Sequence, residues 1–383
     1  MTVHKIDVYQ VSVPFRSVVS WASGVRSGTT RLIVKVTAHD GMVGYGETFY
    51  LPFVDAALRQ QVIPVVLGED ESDLERIHRK ILGAGFYHHR RAVNYASAGV
   101  EMALYDLLGR RAGMPLYKLL GGKYRDRIES IAFIPTQDPE QLVTQARAAV
   151  ADGFRTIKIK VGTNPHLDSE LVRRLREAVG PEVQIRADLN QALTVGSAKR
   201  LLRRLEPYDL QYLEQPLLLT ELEASHDLRQ VTTVPIALDE SAYTPEDALE
   251  IVRRRAADVI LVDPHQAGGL LPCKKAAAVA EAAAIPVGLH SGGELGLSMA
   301  AMLHLAASTP NMLYAIDNQY LHNSDDIVTA PLAVEEGAFR VPEGPGLGVE
   351  VDEEKLERYG TTEYYSPYGR ADDPSWFAPK PTY

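Results

Sequence analysis

A (β/α) barrel preceded by an α+β lobe is the fold class this sequence predicts, on three observations. Asp188, Glu214 and Asp239 stand 26 and 25 residues apart, and each closes a short apolar run: VQIRAD, LQYLE and PIALD. A strand, turn, helix, turn cycle takes about that many residues in a barrel of ~250 residues and eight units. The stride also continues in both directions. Upstream, TIKIKV carries Lys158 and Lys160; downstream, VILVDP, IPVGLHS and YAID deliver Asp263, His290 and Asp317 at gaps of 24, 27 and 27 residues. Finally, strand-like and helical runs alternate from SIAFIP (130–135) onward, as in βα units of a parallel sheet, whereas the earlier residues do not alternate in this way.

Taken in order, residues 1–125 form the α+β capping lobe. HKIDVYQVSV and TTRLIVKVTA read as strands, GMVGYGETF as a tight turn into a further strand, and roughly 53–67, 71–83 and 92–112 as helices. The barrel occupies 126–335, with helices expected at 138–151, 166–179, 196–206, 245–256 and 270–284. Beyond the eighth strand, FRVPEGPGLGVEVDEEKLERY places glycines and prolines before a short acidic helix. This third segment, 336–383, is expected to return to the first lobe. Its tail, TTEYYSPYGRADDPSWFAPKPTY, has a proline- and aromatic-rich composition suited to wrapping a surface or making a subunit contact.

Composition fits an ordinary soluble chain: 383 residues, 45% apolar and 23% charged. No apolar stretch approaches the ~20 residues needed to span a bilayer, and the N-terminus lacks a signal-peptide pattern, so a cytoplasmic location and no membrane partner are expected. The net charge of −10 argues against a nucleic-acid partner. Cys273 is the single cysteine, which excludes an internal disulfide, and its alanine-rich surroundings suit buried packing.

The chemistry follows from where barrel strands end. Carboxyl ends of parallel strands surround one mouth, so three acids there look like a cage for a hard divalent cation. Lys158 and Lys160, at i and i+2 on one strand, point to the same face and can both address that cation.

The ordered series KIK (158–160), RADLN (186–190), EQP (214–216), DES (239–241), DPHQAGG (263–269) and LHSGGELG (289–296) resembles the enolase superfamily, in the branch with mandelate racemase and the acid-sugar dehydratases. YGETF (45–49), LLGGKYRDRI (119–128) and PGLGVE (345–350) match that family's capping lobe, barrel entry and return segment. The resemblance implies a modified TIM barrel of (β/α)7β type. It implies Mg²⁺, one per subunit, held by Asp188, Glu214 and Asp239, with the adjacent Glu240 as the alternative third ligand. Similar proteins form dimers or octamers, so a homo-oligomer is expected.

The implied reaction removes the proton alpha to a carboxylate. That step loads a second negative charge onto the carboxylate oxygens, and a divalent Lewis acid stabilises the resulting enediolate by several kcal/mol. Lys160 is the candidate base, since a neighbouring lysine and cation disfavour its ammonium form. Lys158 stays protonated and binds the substrate carboxylate. His290, oriented by Asp263 one strand away, is the second acid–base group. In the lactone-forming branch a lysine occupies the place of Asp263, so the aspartate here counts against cycloisomerisation. Asp317 resembles the position that donates a hydrogen bond to the enolate, but a strand-end aspartate equally caps a turn.

Asn190 is expected to support a ligand or meet substrate. Glu294, after two glycines at a helix start, either touches substrate or answers the helix dipole. Trp21 and Arg26 lie in the segment 14–28 with Arg16, where the family places a mobile specificity loop, and an arginine there can clamp a distal carboxylate. The cluster His88, His89, Arg90 and Arg91, like Asp325 and Asp326, reads as a solvated face. The expected activity is dehydration of a hydroxylated, acid-sugar type carboxylic acid. Racemisation or 2-epimerisation is the alternative, followed by a cycloisomerase or a non-catalytic binding protein. Glucarate enzymes carry an asparagine shortly after the histidine; Gly292 and Gly293 stand here instead.

Overall fold

The structure, a computed structural model, describes residues 1–83, 89–366 and 379–383. The chain opens with an antiparallel sheet of β1 (Val3–Trp21), β2 (Gly24–Ala38) and β3 (Val43–Phe49). Segment 14–28, expected as a loop, extends this hairpin instead. Val19, Ser20 and Trp21 pair with Arg26, Val25 and Gly24 after a register shift between Pro14 and Val19. The helix Arg90–Ala112 packs on this sheet. Gly44 and Gly46 of β3 permit the close approach, because a Cβ at Gly46 would lie 2.0 Å from the Gly99 carbonyl and one at Gly44 2.2 Å from that of Ala103. Helices Pro52–Ala57 and Leu74–Gly83 complete a separate apolar core around Leu32, Val34, Leu58 and Leu104.

After β4 (Arg127–Glu129) the chain enters a parallel sheet whose seven strands are hydrogen-bonded in sequence order. They are β5 (Ala132–Ile134), β6 (Thr156–Lys160), β7 (Gln184–Asp188), β8 (Tyr212–Glu214), β9 (Ile236–Leu238), β10 (Val259–Val262) and β11 (Val287–Leu289). Residues 311–317 close the barrel as the expected eighth stave without forming a regular strand. Val287 N donates to Asn311 O (3.0 Å) and Asp317 N to Leu289 O (3.1 Å) on one side, while Ile131 N donates to Ile316 O (3.0 Å) on the other. β12 (Val334–Glu335) then pairs with β13 (Ala338–Arg340), which in turn pairs with β4.

Three of the barrel helices begin where the sequence supplies a capping side chain followed by proline. Asp138, Asn164 and Thr244 each accept backbone N–H bonds ahead of Pro139, Pro165 and Pro245, and Thr244 with Asp247 forms a reciprocal capping box. These helices and Val195–Leu205 bury Leu142, Leu171, Leu175, Ile251 and Leu201 against the strands. Helices Leu222–Arg229 and Gly296–Ala307 complete the alternation. Cys273 is fully buried on Leu270–Ala282. Among the described residues, no helix is long and apolar enough to cross a membrane.

The return segment seats against the capping lobe: Leu116 N donates to Gly346 O (2.8 Å), and Leu347 N to the Asp106 carboxylate (2.8 Å). Residues 379–383 dock beside the barrel mouth, where Thr382 N donates to Ala192 O (2.6 Å), Thr194 N donates to Tyr383 O (3.0 Å) and the Tyr383 hydroxyl donates to Asp168. The remainder of the tail, 367–378, lies outside the described residues.

Candidate active site

Strand register brings the predicted groups to one mouth. Lys160 pairs with Asp188 across β6 and β7, and Asp188 with Glu214 across β7 and β8, so the three stand level. Asp239, Asp263 and His290 each follow the last residue of β9, β10 and β11. Where the chain leaves β7 and β8, Asn190, Gln191 and Gln215 adopt left-handed backbone (φ 40°, 67° and 36°), uncommon for residues with a Cβ. Asn190 and Gln191 thereby reach Glu240, at 3.2 and 3.4 Å.

Lys158 lies among three acids, with Glu214 at 2.7 Å, Asp188 at 3.3 Å and Asp317 hydrogen-bonded to it. Burial disfavours its ammonium, but Asp317, Glu214 and Asp188 outweigh that and hold its pKa well above the usual lysine range. Asp317, expected near the enolate, is committed here to Lys158 and to Arg186 (3.2 Å) and does not line the cavity. Lys160 donates to Asp188 and, at 3.0 Å, to Asn190 Oδ1. The Asp188 carboxyl is opposed by burial, yet Lys160 and Lys158 hold it well below its ordinary range. Burial, and then the neighbouring Asp188, pushes Glu214 well up. Burial also raises Asp239, to about 7 against the pull of His290, and raises Glu240.

His290 Nδ1 lies 2.9 Å from Asp263 Oδ2, and its Nε2 lies 3.4 Å from Asp239. Burial would lower its pKa, but Asp239 and the bond to Asp263 lift it to about 10. Asp263 carries a second imidazole that sequence reasoning missed: His265 Nδ1, at 2.8 Å from Oδ1. His265 Nε2 accepts from Arg31 (2.8 Å), whose Nε donates to Glu47 (2.7 Å). A buried chain thus runs from β2 and β3 of the capping lobe to His290. Only the DPH and GET triplets hinted at it, and their pairing is too distant in sequence to read.

Among the described residues, no three His, Cys, Asp or Glu side chains are gathered at metal-holding spacing. The lysines draw Asp188 and Glu214, and His290 draws Asp239, so the expected cage is not formed by these side-chain positions. The donor set nonetheless fits a hard cation. Asp239 Oδ1 and Glu240 Oε2 are buried oxygens without a hydrogen-bond partner. In the linked network, six carboxyl groups (Asp188, Glu214, Asp239, Glu240, Asp263, Asp317) face five basic groups (Lys158, Lys160, Arg186, His265, His290), and the unpartnered Asp239 and Glu240 oxygens are what a dication answers. Asp188, Glu214 and Asp239, with Glu240 as the alternative, are the oxygen donors that could hold such an ion.

Lys160, Asn190, Asp239, Glu240, Asp263 and His290 line one cavity of about 280 Å³, whose walls include Trp21, Phe49, Tyr95 and Tyr243. Arg26 also lines it, but its guanidinium donates to Gly292 O (3.1 Å) and Gln319 Oε1 (2.5 Å) and packs on Phe15 and Trp21. It therefore braces the loop after β11 where a distal clamp was expected. Glu294 is fully buried and turned to its own loop, accepting from Ser291 Oγ and Gly292 N at 2.5 Å each; it does not line the cavity. Asp326, expected on a solvated face, is buried and accepts from Gly296 N and the Tyr320 hydroxyl. Asp325 pairs with Lys355. His88 lies outside the described residues, and Arg91 of the same cluster lines the cavity.

Two family descriptions match the chain. The mandelate racemase / muconate lactonizing enzyme N-terminal domain matches residues 5–121, and the enolase C-terminal domain-like family matches 141–355. The L-Ala-D/L-Glu epimerase of Clostridium acetobutylicum is 32% identical, over 91% of this chain and 99% of its own. The arabinonate dehydratase of Saccharolobus solfataricus is 32% identical, over 85% and 89%. The crystal structure of an enolase of Thermobispora bispora complexed with magnesium and formate superposes with a TM-score of 0.88 at 30% identity, covering all of both chains.

Proposed function

Since this chain belongs to the enolase superfamily, an assignment its two matched domains carry, we propose that it is a Mg²⁺-dependent dehydratase of a hydroxylated carboxylic acid. The carrying observation is that Lys160 and His290 address one cavity from strands separated by four others, β7 to β10. A substrate carbon between them has a basic group on each side. The divalent cation, when bound, acts as a Lewis acid on the substrate carboxylate oxygens.

Lys160 Nζ, as the free amine, takes the proton alpha to the carboxylate, with Asn190 Oδ1 and Asp188 fixing its position. Lys158, a cation held among Glu214, Asp188 and Asp317 and outside the cavity lining, contributes positive charge through that network to the side where the substrate becomes more negative. As the C–H electron pair forms the carbon–carbon double bond, the C–O bond on the next carbon breaks. His290 Nε2 delivers its proton to the departing oxygen, which leaves as water, while Asp263 holds Nδ1. Where the alpha carbon also bears a hydroxyl the product is an enol, which gains a proton at the next carbon and loses its hydroxyl proton to become a 2-keto-3-deoxy acid.

Epimerisation is the second reading. It uses the same two-sided pair, with His290 returning a proton to carbon, and the aromatic walls Trp21, Phe49, Tyr95 and Tyr243 suit an acyl or amide substituent better than a polyhydroxyl chain. Incubating the enzyme with Mg²⁺ and a library of hydroxy acids in D₂O separates the two. Release of a 2-keto-3-deoxy acid supports dehydration. Deuterium incorporation with inversion and no water loss replaces it with epimerisation, and no α-proton exchange with any acid defeats both.

A further inference from the structure

Arg91 opens the capping-lobe helix Arg90–Ala112, one residue after Arg90, which is paired with Glu246 at 2.8 Å. Its guanidinium lies over the Tyr243 ring, 4.4 Å from the centroid, and Tyr243 meets Tyr95 edge-on at 6.2 Å. The other basic side chains lining the cavity are already engaged. Lys160 is bonded to Asp188, His290 and His265 to Asp263, Arg31 to Glu47 and Arg26 to Gln319. Arg91 makes no hydrogen bond or ion pair among the described residues, although it lines the same cavity. Stacking on an aromatic face leaves the edge of a guanidinium, with its fork of N–H donors, open to a planar anion. In a mouth rich in carboxyl groups, an uncommitted, solvent-exposed cation stacked on Tyr243 is where a second negative charge on a ligand is tolerated.

We propose that Arg91 is a specificity-determining residue that binds a second anionic group of the substrate, so that the enzyme acts on dianionic acids. This narrows the reading above and rests on it for the placement of the reacting carboxylate. Carboxylate and phosphate share the chemistry that the guanidinium fork recognises.

The test is calorimetric titration of the Mg²⁺-loaded protein with three matched six-carbon acids: gluconate, glucarate and 6-phosphogluconate. Binding of glucarate, of 6-phosphogluconate, or of both about tenfold more tightly than gluconate is expected, and whichever of them gains identifies the anion. Arg91→Met should abolish that advantage while leaving gluconate affinity within about twofold, and Arg91→Lys should restore part of it. Equal affinity of the parent for all three acids overturns the proposal, as does a uniform loss in Arg91→Met or no binding of any acid at millimolar concentration. Arg91-dependent discrimination without α-proton exchange by the parent would leave this proposal standing and remove the dehydratase reading.

Discussion

Asp263 Oδ2 lies 2.9 Å from Nδ1 of His290, a bond between the ends of the neighbouring strands β10 and β11. The other oxygen is held by His265, so the carboxylate cannot swing away without breaking a second bond. This geometry leaves Nε2 as the atom of His290 that exchanges protons with substrate. Asp263→Asn keeps the shape but can present an amide N–H to Nδ1, favouring the wrong tautomer. Turnover should fall by roughly 10²-fold or more, with an unfolding midpoint close to that of the parent. Steady-state kinetics beside a thermal melt checks this; unchanged turnover contradicts the role given to Asp263.

Arg31 and Glu47 are both fully buried, and Glu47 also accepts from Leu295 N (2.8 Å) and Ser298 N (2.9 Å). The pair therefore joins the capping sheet to the barrel helix Gly296–Ala307. Arg31→Met strands the Glu47 charge and removes the donor to His265, and is expected to cost about 3–5 kcal/mol in urea unfolding.

Stability should also carry a histidine-dependent acid limb. His304 Nδ1 accepts from Tyr117 N (3.3 Å) and its Nε2 donates to Leu347 O (3.1 Å), which leaves no place for a second ring proton. Burial pushes its pKa from 6.5 down to about 4, against the pull of the Leu347 carbonyl. The unfolded chain thus binds a proton that the folded chain refuses. Stability is fully present above pH 6.5 and is lost as pH falls from 6.5 to about 4, by about 3 kcal/mol from this group. A His304→Gln variant should show a shallower decline across that window in denaturant melts at stepped pH.

A cation held by the folded chain alone raises stability by mass action, about 2.7 kcal/mol at a hundredfold excess over its dissociation constant. Adding Mg²⁺ should raise the melting temperature and chelation should reverse it. Asp239→Asn and Glu240→Gln, melted separately, identify the third ligand by which of them loses the response.

The strand-end groups were legible in the sequence because a barrel repeats at a near-fixed stride and each stride ends at the mouth. Lys160, Asp188, Asp239, Asp263 and His290 follow from counting, and their strands from apolar runs. What counting cannot give is the direction of side chains beyond the strand. Glu294 turns into its own Ser291–Gly292 loop, and Arg26 braces that loop from a hairpin read as a flexible segment. Contacts between the lobes were equally hidden. Arg91 and Asp326 belong to charged stretches that resemble solvated faces, and only tertiary packing carries one to the cavity wall and buries the other. His265 gains meaning only from Arg31, 234 residues away.

In the proposed reaction Lys160 removes an α-proton under the influence of a bound dication. The most direct test of this step is deuterium exchange at the α-carbon of a substrate acid, followed by proton NMR for the parent and Lys160→Ala, with Mg²⁺ and after chelation. Exchange by the Mg²⁺-loaded parent alone, with Lys160→Ala and the chelated protein slower by roughly 10³-fold or more, is the result expected. Exchange that persists undiminished in Lys160→Ala or without the metal would contradict it.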